Sequence, residues 1–162
     1  ASEMCIRARR YASDDFPAPL GGRVVAPERW VPLPHVGLPL ALGREVDPGE
    51  FNPNVIVTVS RIRAEQTLDD AHAEVLRKLR PMPRLRELDG GEVDVDGLPG
   101  RWLEASFKGG GGTVLVQAVR TVVVPRGPVA DLVQTTGTCT LTQHPWAAAE
   151  IRAVQESLRV DR

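Results

Sequence analysis

The sequence predicts an antiparallel α+β sandwich, and three observations lead to this prediction. Residues 54–62 alternate between apolar and more polar positions, which is typical of a half-buried strand. Residues 67–80 instead repeat apolar side chains at helical spacing. From residue 84 to residue 142, valine-rich segments follow one another through short glycine-containing connections, as antiparallel hairpins require. A helix followed by a run of hairpin-connected strands is typical of the α+β class.

The length and charge of the chain limit its architecture and its partners. Its 162 residues fit one domain, with a proline-rich part over residues 1–50 and a core over residues 51–162. It carries 20 Lys and Arg against 21 Asp and Glu, so no basic excess attracts nucleic acid. Aromatic residues make up only 4%, too few for a row of base-stacking platforms. No apolar run of about 18 residues occurs, so we expect no transmembrane segment.

Prolines interrupt the chain from residue 12 to residue 54, and each one removes a hydrogen-bond donor from a strand ladder. We therefore expect only short or edge strands in this part, near residues 23–25, 30–33 and 38–42.

Two segments in the middle of the chain have the clearest periodicity. The strand at residues 54–62 presents one all-valine face and one mixed face with Thr58 and Ser60. The helix at residues 67–80 begins at Thr67, a good N-cap residue, and carries two aspartates in its first turn, where the helix dipole favours acidic groups. Pro81 ends this helix.

The rest of the chain predicts more strands and a second helix. The strands are expected over residues 84–88, 91–95, 100–108, 113–125 and 130–142. Their connections LDGG, DGLPG, KGGGG and PRGP contain the glycines that tight turns use. The second helix is expected over about residues 145–158, with Pro145 in its first turn.

The segment EVDVDG is the strongest candidate for a metal site. Glu92, Asp94 and Asp96 stand at alternate positions before a glycine, as in the first half of a calcium-binding loop. The twelfth position of such a loop is occupied by Leu103, however, and the flanking residues are strand-like. Strand alternation explains the run better, with the three carboxylates facing solvent and the valines between them facing inward. We therefore expect no metal site.

The segment KGGGGT has the glycines of a phosphate-binding loop. Such a loop needs its lysine after the glycines and a helix behind it, whereas here Lys108 comes first and a valine-rich segment follows. The segment is predicted to be a flexible hairpin tip.

No catalytic set is evident. The sequence has neither a nucleophile elbow nor a zinc-binding His-Glu-x-x-His motif, and no cofactor is indicated. The three histidines, His35, His72 and His144, are far apart in the sequence. We expect His72 to pack half-buried on the first helix, beside its apolar stripe. We expect His144 to cap or pack at the start of the second helix. We therefore predict a non-enzymatic protein; the alternative is a hydrolase that uses His72 or His144 with a nearby carboxylate.

Three residues on the middle strands are candidates for ligand contact. Trp102 shares a strand face with Glu104, and Arg120 stands on the next strand, so these side chains form a possible binding set. The simpler interpretation is that Trp102 packs against the protein and that Arg120 forms a surface salt bridge.

The two cysteines allow one disulfide or two free thiols. Cys139 stands on what should be an interior strand, and Cys5 stands near the N-terminus. We predict that both thiols are free and that Cys139 acts as a small core residue.

The order of these segments resembles a known family. FNPNVIVTVSRI is followed by TLDDAHAEVLRKLR, DVDGLPGRWLEASF, VLVQAVRTVVV, ADLVQTTGTCTLTQ and AAAEIRAVQESLRV. This order is similar to that of the actinobacterial LpqN/LpqT-type lipoproteins and, more broadly, of the PsbP/Mog and DcrB superfamily. The resemblance implies a twisted sheet with helices packed on both faces, the α/β/α sandwich of that superfamily. The valine face of residues 55–59 would then lie under a helical layer, and the Thr58/Ser60 face under thinner cover.

The resemblance also implies a function class. Its members are mostly non-enzymatic envelope or binding proteins, so it supplies no catalytic residues and favours a binding or scaffold module with a protein partner. A carrier of a small apolar ligand or lipid is the alternative. The resemblance implies the cell envelope, whereas the first residues contain neither a signal peptide nor a lipobox, since Cys5 follows Ser-Glu-Met. Both the envelope and the cytoplasm stay open at this point.

Overall fold

The structure is a computed structural model that describes residues 12–34 and 37–162. Within these residues it has nine strands and two α-helices. The strands are β1 (Gly22–Arg23), β2 (Trp30–Pro32), β3 (Leu40–Arg44), β4 (Asn54–Arg63), β5 (Arg86–Val95), β6 (Leu98–Lys108), β7 (Val114–Arg126), β8 (Val129–Thr140) and β9 (Arg159–Val160). The helices are α1 (Leu68–Leu79) and α2 (His144–Glu156).

Seven strands form one antiparallel sheet in the order β2-β3-β4-β8-β7-β6-β5. The strands β5 to β8 form a meander, as their short connections predict. Strand β4 does not pair with its successor in sequence but with β8, over ten residue pairs from Asn54↔Thr138 to Arg63↔Val129. The predicted antiparallel sheet with two helices is confirmed.

The predicted alternation of β4 is confirmed by burial. Val55 and Val57 are 0% and 5% exposed, while Thr58 is half-buried and Ser60 is exposed. Val55 packs against residues of α2 and Val57 packs against Leu158. The valine face therefore lies in the core, and the mixed face has the thinner cover.

Helix α1 begins and ends where its sequence predicts. Thr67 is the N-cap, and it forms a capping box in which its side chain accepts the Asp70 N–H at 3.1 Å while the Asp70 carboxylate accepts the Thr67 N–H at 3.0 Å. The apolar stripe of α1 packs on strands β6 and β7 through Val75 and Leu79. Its contacts on the sheet are Leu103, Ala105, Phe107 and Val119.

Helix α2 packs on a different set of sheet residues. Ala147, Ile151 and Val154 lie against Val55, Val116 and Cys139. No helix among the described residues is long and apolar enough to cross a membrane.

One predicted turn proved to be strand. Residues of the segment LDGG lie inside β5, where Gly90 pairs with Leu103 and Gly91 pairs with Trp102. A register shift between Glu87 and Asp89 marks a bulge at this point. At an edge strand the extra residue of a bulge is tolerated, because only one side of the strand is hydrogen-bonded. Glycine fits because a Cβ at Gly90 would lie only 3.0 Å from the Trp102 carbonyl oxygen.

The N-terminal and C-terminal segments differ from prediction in two places. The strand expected at residues 23–25 ends at Arg23, because Ser157 Oγ accepts the Val25 N–H at 2.7 Å and donates to the Val25 carbonyl at 3.0 Å. Strand β9 had no prediction of its own; it continues the chain beyond α2 and pairs with β1 in a separate two-stranded sheet.

The strand predicted through residue 142 also ends earlier, at Thr140, so Leu141 is 54% exposed rather than part of the core. The glutamine two residues further on closes the turn: the Gln143 side chain accepts the Thr140 N–H at 3.1 Å.

Candidate functional site

A cleft of about 380 Å³ lies between helix α2 and strands β6, β7 and β8. Nine residues give it its chemistry: Asp89, Trp102, Glu104, Arg120, Cys139, His144, Arg152, Gln155 and Glu156. Three small residues also line it, Ala118 and Gly137 on the sheet and Ala148 on the helix. These short side chains leave the space that larger ones would fill.

The sheet register brings the three predicted binding residues together. Trp102 on β6 pairs directly with Arg120 on β7, and Glu104 pairs with Ala118 in the adjacent row. Because side chains two apart on a strand point to the same face, Trp102 and Glu104 both enter the cleft. All three residues line it.

Glu104 faces a histidine that lies 40 residues further along the chain. Glu104 Oε1 is 3.0 Å from His144 Nε2, and the two side chains are 16% and 35% exposed. His144 is the first residue of α2, while Gln143 is the N-cap. The predicted packing position at the start of the helix is therefore correct, but its carboxylate partner could not be identified from sequence spacing.

The side chain of Arg120 is far less exposed than that of an arginine in a surface salt bridge. Its side chain is 14% exposed, and the nearest carboxylate oxygen, Glu156 Oε1, is 3.6 Å from Nη2. Burial lowers the pKa of the Arg120 guanidinium, and the charge of Glu156 opposes this shift. The predicted ion pair is present, but only its Glu156 end is at the surface, with 58% of that side chain exposed.

Gln155 was not predicted as a site residue. It is 4% exposed, and its side-chain amide donates to the Ala118 carbonyl at 3.0 Å and to the Thr135 carbonyl at 3.2 Å. These bonds hold α2 against the sheet at the rim of the cleft. The only sequence signal was a polar residue beside the apolar stripe of the second helix, which is too common to identify a site.

Cys139 forms part of the cleft floor and is 1% exposed. Burial raises the pKa of its thiol to about 11, and the neighbouring charge of Glu104 adds to this shift. The thiol is free, whereas Cys5 lies outside the described residues.

The other candidates from the sequence lie elsewhere. His72 is half-buried on α1, as predicted, and burial together with the charge of Arg101 lowers its pKa. His35 lies outside the described residues. The predicted hairpin tip is the turn of Gly110–Gly112 between β6 and β7.

The carboxylates of EVDVDG do not all face solvent. Glu92 and Asp94 are exposed, but Asp96 accepts the Val160 N–H at 2.9 Å and pairs with Arg159 at 3.6 Å. Asp96 therefore holds strand β9 in place. The docking of β9 on Asp96 could not be predicted from the residues around Asp96 in the sequence. Within residues 12–34 and 37–162, no group of three His, Cys, Asp or Glu residues could hold a metal ion.

Comparisons with known proteins agree on the fold and the family. The crystal structure of LpqN from Mycobacterium tuberculosis, described as involved in cell envelope biogenesis, superposes with a TM-score of 0.73 at 18% identity, covering 90% of this chain and 86% of that one. The solution structure of cyanobacterial PsbP from Synechocystis gives 0.63 at 17% identity, covering 99% and 97%. The Ran-binding protein Mog1p of Saccharomyces cerevisiae gives 0.52 at 13% identity, covering 86% and 95%.

None of the curated proteins compared with this chain matches it. At these identities the superpositions establish the fold alone. The family itself is established by sequence, since the model of the family described as probable lipoprotein LpqN matches residues 13–161. The chain belongs to the LpqN family, and its fold is similar to those of the PsbP and Mog1p structures.

Proposed function

We propose that this protein is a non-enzymatic binding module of the cell envelope that holds a protein partner at the cleft between α2 and strands β6 to β8. The observation that carries the proposal is the cleft itself, where Trp102, Glu104 and Arg120 converge from two neighbouring strands. Tryptophan and arginine are enriched at protein–protein interfaces, and both residue types line this cleft.

The proposal includes the α/β/α layering that the family resemblance implies. Val116, which packs with α2, pairs with Ser106 on β6 and so shares its face. Ala105 and Phe107, which pack with α1, flank Ser106 and point the opposite way. In this layering the two helices cover opposite faces of the sheet. On the face that carries α2, the helix leaves the part over strand β6 uncovered.

The hydrolase alternative has a partial basis in the Glu104–His144 pair. A carboxylate that orients a histidine is two-thirds of a catalytic triad. The third member would have to be Cys139, which lines the same cleft. With a pKa of about 11, only about one Cys139 thiol in ten thousand is ionised at pH 7. Among the described residues, His144 also has no hydrogen bond to a serine or cysteine that would activate a nucleophile.

A protein partner is favoured over a small substrate by the exposed charge of the site and by a related fold. The cleft lining includes Glu156, whose side chain is 58% exposed. Mog1p, which shares the fold, is described as a Ran-binding protein. The family is described as probable lipoprotein LpqN, which supports the proposal that this chain works at the extracytoplasmic face of the envelope.

Site-specific photo-crosslinking tests this proposal. A benzophenone amino acid replaces Trp102 in the cleft and, as the matched control, Met82, which is 38% exposed and lies just after α1. Both variants are expressed in the source organism and irradiated. We expect one defined protein adduct from position 102 and none of that mass from position 82. The proposal is wrong if both positions give the same adducts, or if position 102 gives none.

The apolar-carrier alternative has a specific observation of its own. A second cavity of about 190 Å³ lies under the β1–β9 sheet and is lined mainly by aliphatic side chains, including Leu20, Leu40, Val57, Val133, Leu158 and Val160. It is smaller than the roughly 300 Å³ at which drug-sized ligands are usually bound, although an apolar cavity of about 150 Å³ can hold benzene. Native mass spectrometry of the purified chain tests it. A co-purified apolar molecule that is lost after Val133→Trp would favour the carrier.

A further inference from the structure

Arg120 is a charged cleft residue whose side chain is mostly buried and has no close partner among the described residues. It has five N–H donors, and within the described residues none makes a hydrogen bond shorter than 3.5 Å. Its ionic partner among the described residues, Glu156, is 3.6 Å away on a side chain that is 58% exposed. A largely buried guanidinium normally has a closer, bidentate acceptor. The desolvation that lowers the pKa of Arg120 is a consequence of the same geometry.

Three other polar residues of the cleft already have hydrogen-bond partners. Glu104 faces His144 at 3.0 Å, and the Gln155 amide is bonded to two carbonyls. Asp89, at the β5 edge, accepts the N–H of its neighbour Gly90 at 2.8 Å. The Arg120 guanidinium, unlike these three residues, has unmet hydrogen-bonding capacity, and because it is a donor only, a ligand that satisfies it must bring an acceptor.

A second positive charge lies near Arg120. Arg152 of α2 is close enough for its charge to lower the pKa of Arg120 further, so two guanidinium groups and Glu156 stand together. Glu104 and Asp89 carry negative charge in the adjacent row of the cleft. Because exposed ion pairs contribute about 0–1 kcal/mol, Glu156 can be displaced at small cost.

We propose that Arg120 is the anchor for one acidic side chain, Asp or Glu, of the protein partner, and that this carboxylate displaces Glu156 from the guanidinium. The inference rests on the proposed function of the cleft and adds the chemistry of the partner. Trp102, which pairs with Arg120 across the strands, provides the flat apolar surface beside the anchor. Glu104 and Asp89 in the adjacent row repel a second acidic group, so the partner presents a single carboxylate.

A titration with a side-chain mimic tests this anchor without the partner. N-acetyl-glutamate amide is added to the ¹⁵N-labelled full chain, and the indole N–H of Trp102 and the Nε–H of Arg120 are followed by NMR. We expect saturable shifts of both signals. The neutral isostere N-acetyl-glutamine amide should bind at least tenfold more weakly, because it carries no charge for the guanidinium.

Three variants connect the binding to Arg120. Arg120→Gln should weaken N-acetyl-glutamate amide binding at least tenfold, whereas Arg77→Gln, which removes an exposed arginine of α1, should leave it unchanged. Glu156→Gln should strengthen binding a few-fold, because it removes the internal competitor while it keeps Arg120. Equal binding of the two amides overturns the proposal, as does wild-type affinity in Arg120→Gln. Tighter binding of inorganic phosphate than of N-acetyl-glutamate amide also overturns it and identifies a phosphate site instead.

The two proposals fail in different ways. If the crosslink from position 102 persists at wild-type yield in Arg120→Gln, the carboxylate anchor is wrong and the binding cleft stands. If no crosslink forms in an otherwise wild-type chain but the mimic binds, the anchor chemistry stands and the protein partner is wrong.

Discussion

Ile151 of helix α2 rests directly on Gly137 of strand β8: a Cβ added to this glycine would lie 2.2 Å from Ile151 Cγ2. Gly137 stands in the middle of the sheet, between Val55 on β4 and Ala118 on β7. The absence of a side chain at this one position therefore sets how closely α2 approaches the sheet, and with it the height of the cleft next to it.

The first prediction follows from this contact. Gly137→Ala should destabilise the protein by about 1–3 kcal/mol, since overpacking a well-filled core forces the helix to shift. Chemical denaturation measures the change in the free energy of unfolding. Gly110→Ala is the matched control, because a Cβ there meets nothing within 4 Å, and it should change stability by less than about 0.5 kcal/mol.

The clash also predicts non-additivity. Ile151→Ala removes Cγ2 and with it the clash. The double variant with Gly137→Ala should therefore lose less free energy of unfolding than the two single variants together, by at least about 1 kcal/mol. If the losses in free energy of unfolding are strictly additive, contact with Ile151 is not what limits the size of the side chain at residue 137.

The second prediction concerns the buried carboxylate of Asp131. It is 1% exposed and pairs with Arg126 at 2.6 Å and Arg61 at 3.3 Å. Asp131→Asn should cost about 3–5 kcal/mol, because it leaves two partly buried guanidinium groups without their counter-charge. Glu74→Gln in the exposed Glu74–Arg77 pair is the control and should cost no more than about 0.5 kcal/mol. Similar losses in the two variants would mean that Asp131 is not energetically distinct from a surface pair.

The third prediction is a pH dependence that arises from Cys139. Burial holds its pKa at about 11 in the folded protein, above the value of about 9 for an exposed thiol. As pH rises, the unfolded chain loses this proton first, so stability is unaffected below about pH 9 and falls between about pH 9 and 11. The loss should reach about 2–3 kcal/mol.

Thermal or urea unfolding of wild type and Cys139→Ala across this pH range isolates the effect of the thiol. The alanine variant has a lower stability at neutral pH but should lack the additional decline. Parallel curves for the two proteins would contradict the raised pKa.

The fourth prediction concerns the start of α1. Thr67→Ala removes the hydroxyl that accepts the Asp70 N–H and should cost about 1 kcal/mol, within the range of about 0.5–2 kcal/mol for N-cap residues. Thr67→Ser keeps the hydroxyl and should retain most of the stability. If Ser and Ala variants unfold at the same denaturant concentration, the capping bond contributes nothing measurable.

Features that depend on neighbours in sequence were predictable. The capping box of α1 spans four residues, and the alternation of β4 needs only the two-residue period of a strand. The candidate set Trp102, Glu104 and Arg120 could also be proposed in advance, because hairpin-connected strands place these residues in adjacent rows.

Features that depend on distant parts of the chain were not predictable from the sequence. The segment LDGG is read locally as a turn, and only its pairing with β6 makes it strand. Val25 leaves the predicted strand because Ser157, 132 residues away, takes both of its backbone groups. Asp96 has the local pattern of a solvent-facing carboxylate, but the docking of β9 gives it a backbone N–H to accept.

By itself, the sequence determined the α+β class, the helix that starts at Thr67 and the valine face of β4. Hydrogen bonds and periodicities within a few residues encode these features, and tertiary packing leaves them unchanged. Only the tertiary structure decided that β4 pairs with β8, that Glu104 meets His144, and that Arg120 lies 3.6 Å from Glu156 of α2. The physical reason is that each of these contacts requires two segments distant in sequence to meet in one register, and that register is set by the packing of the whole core.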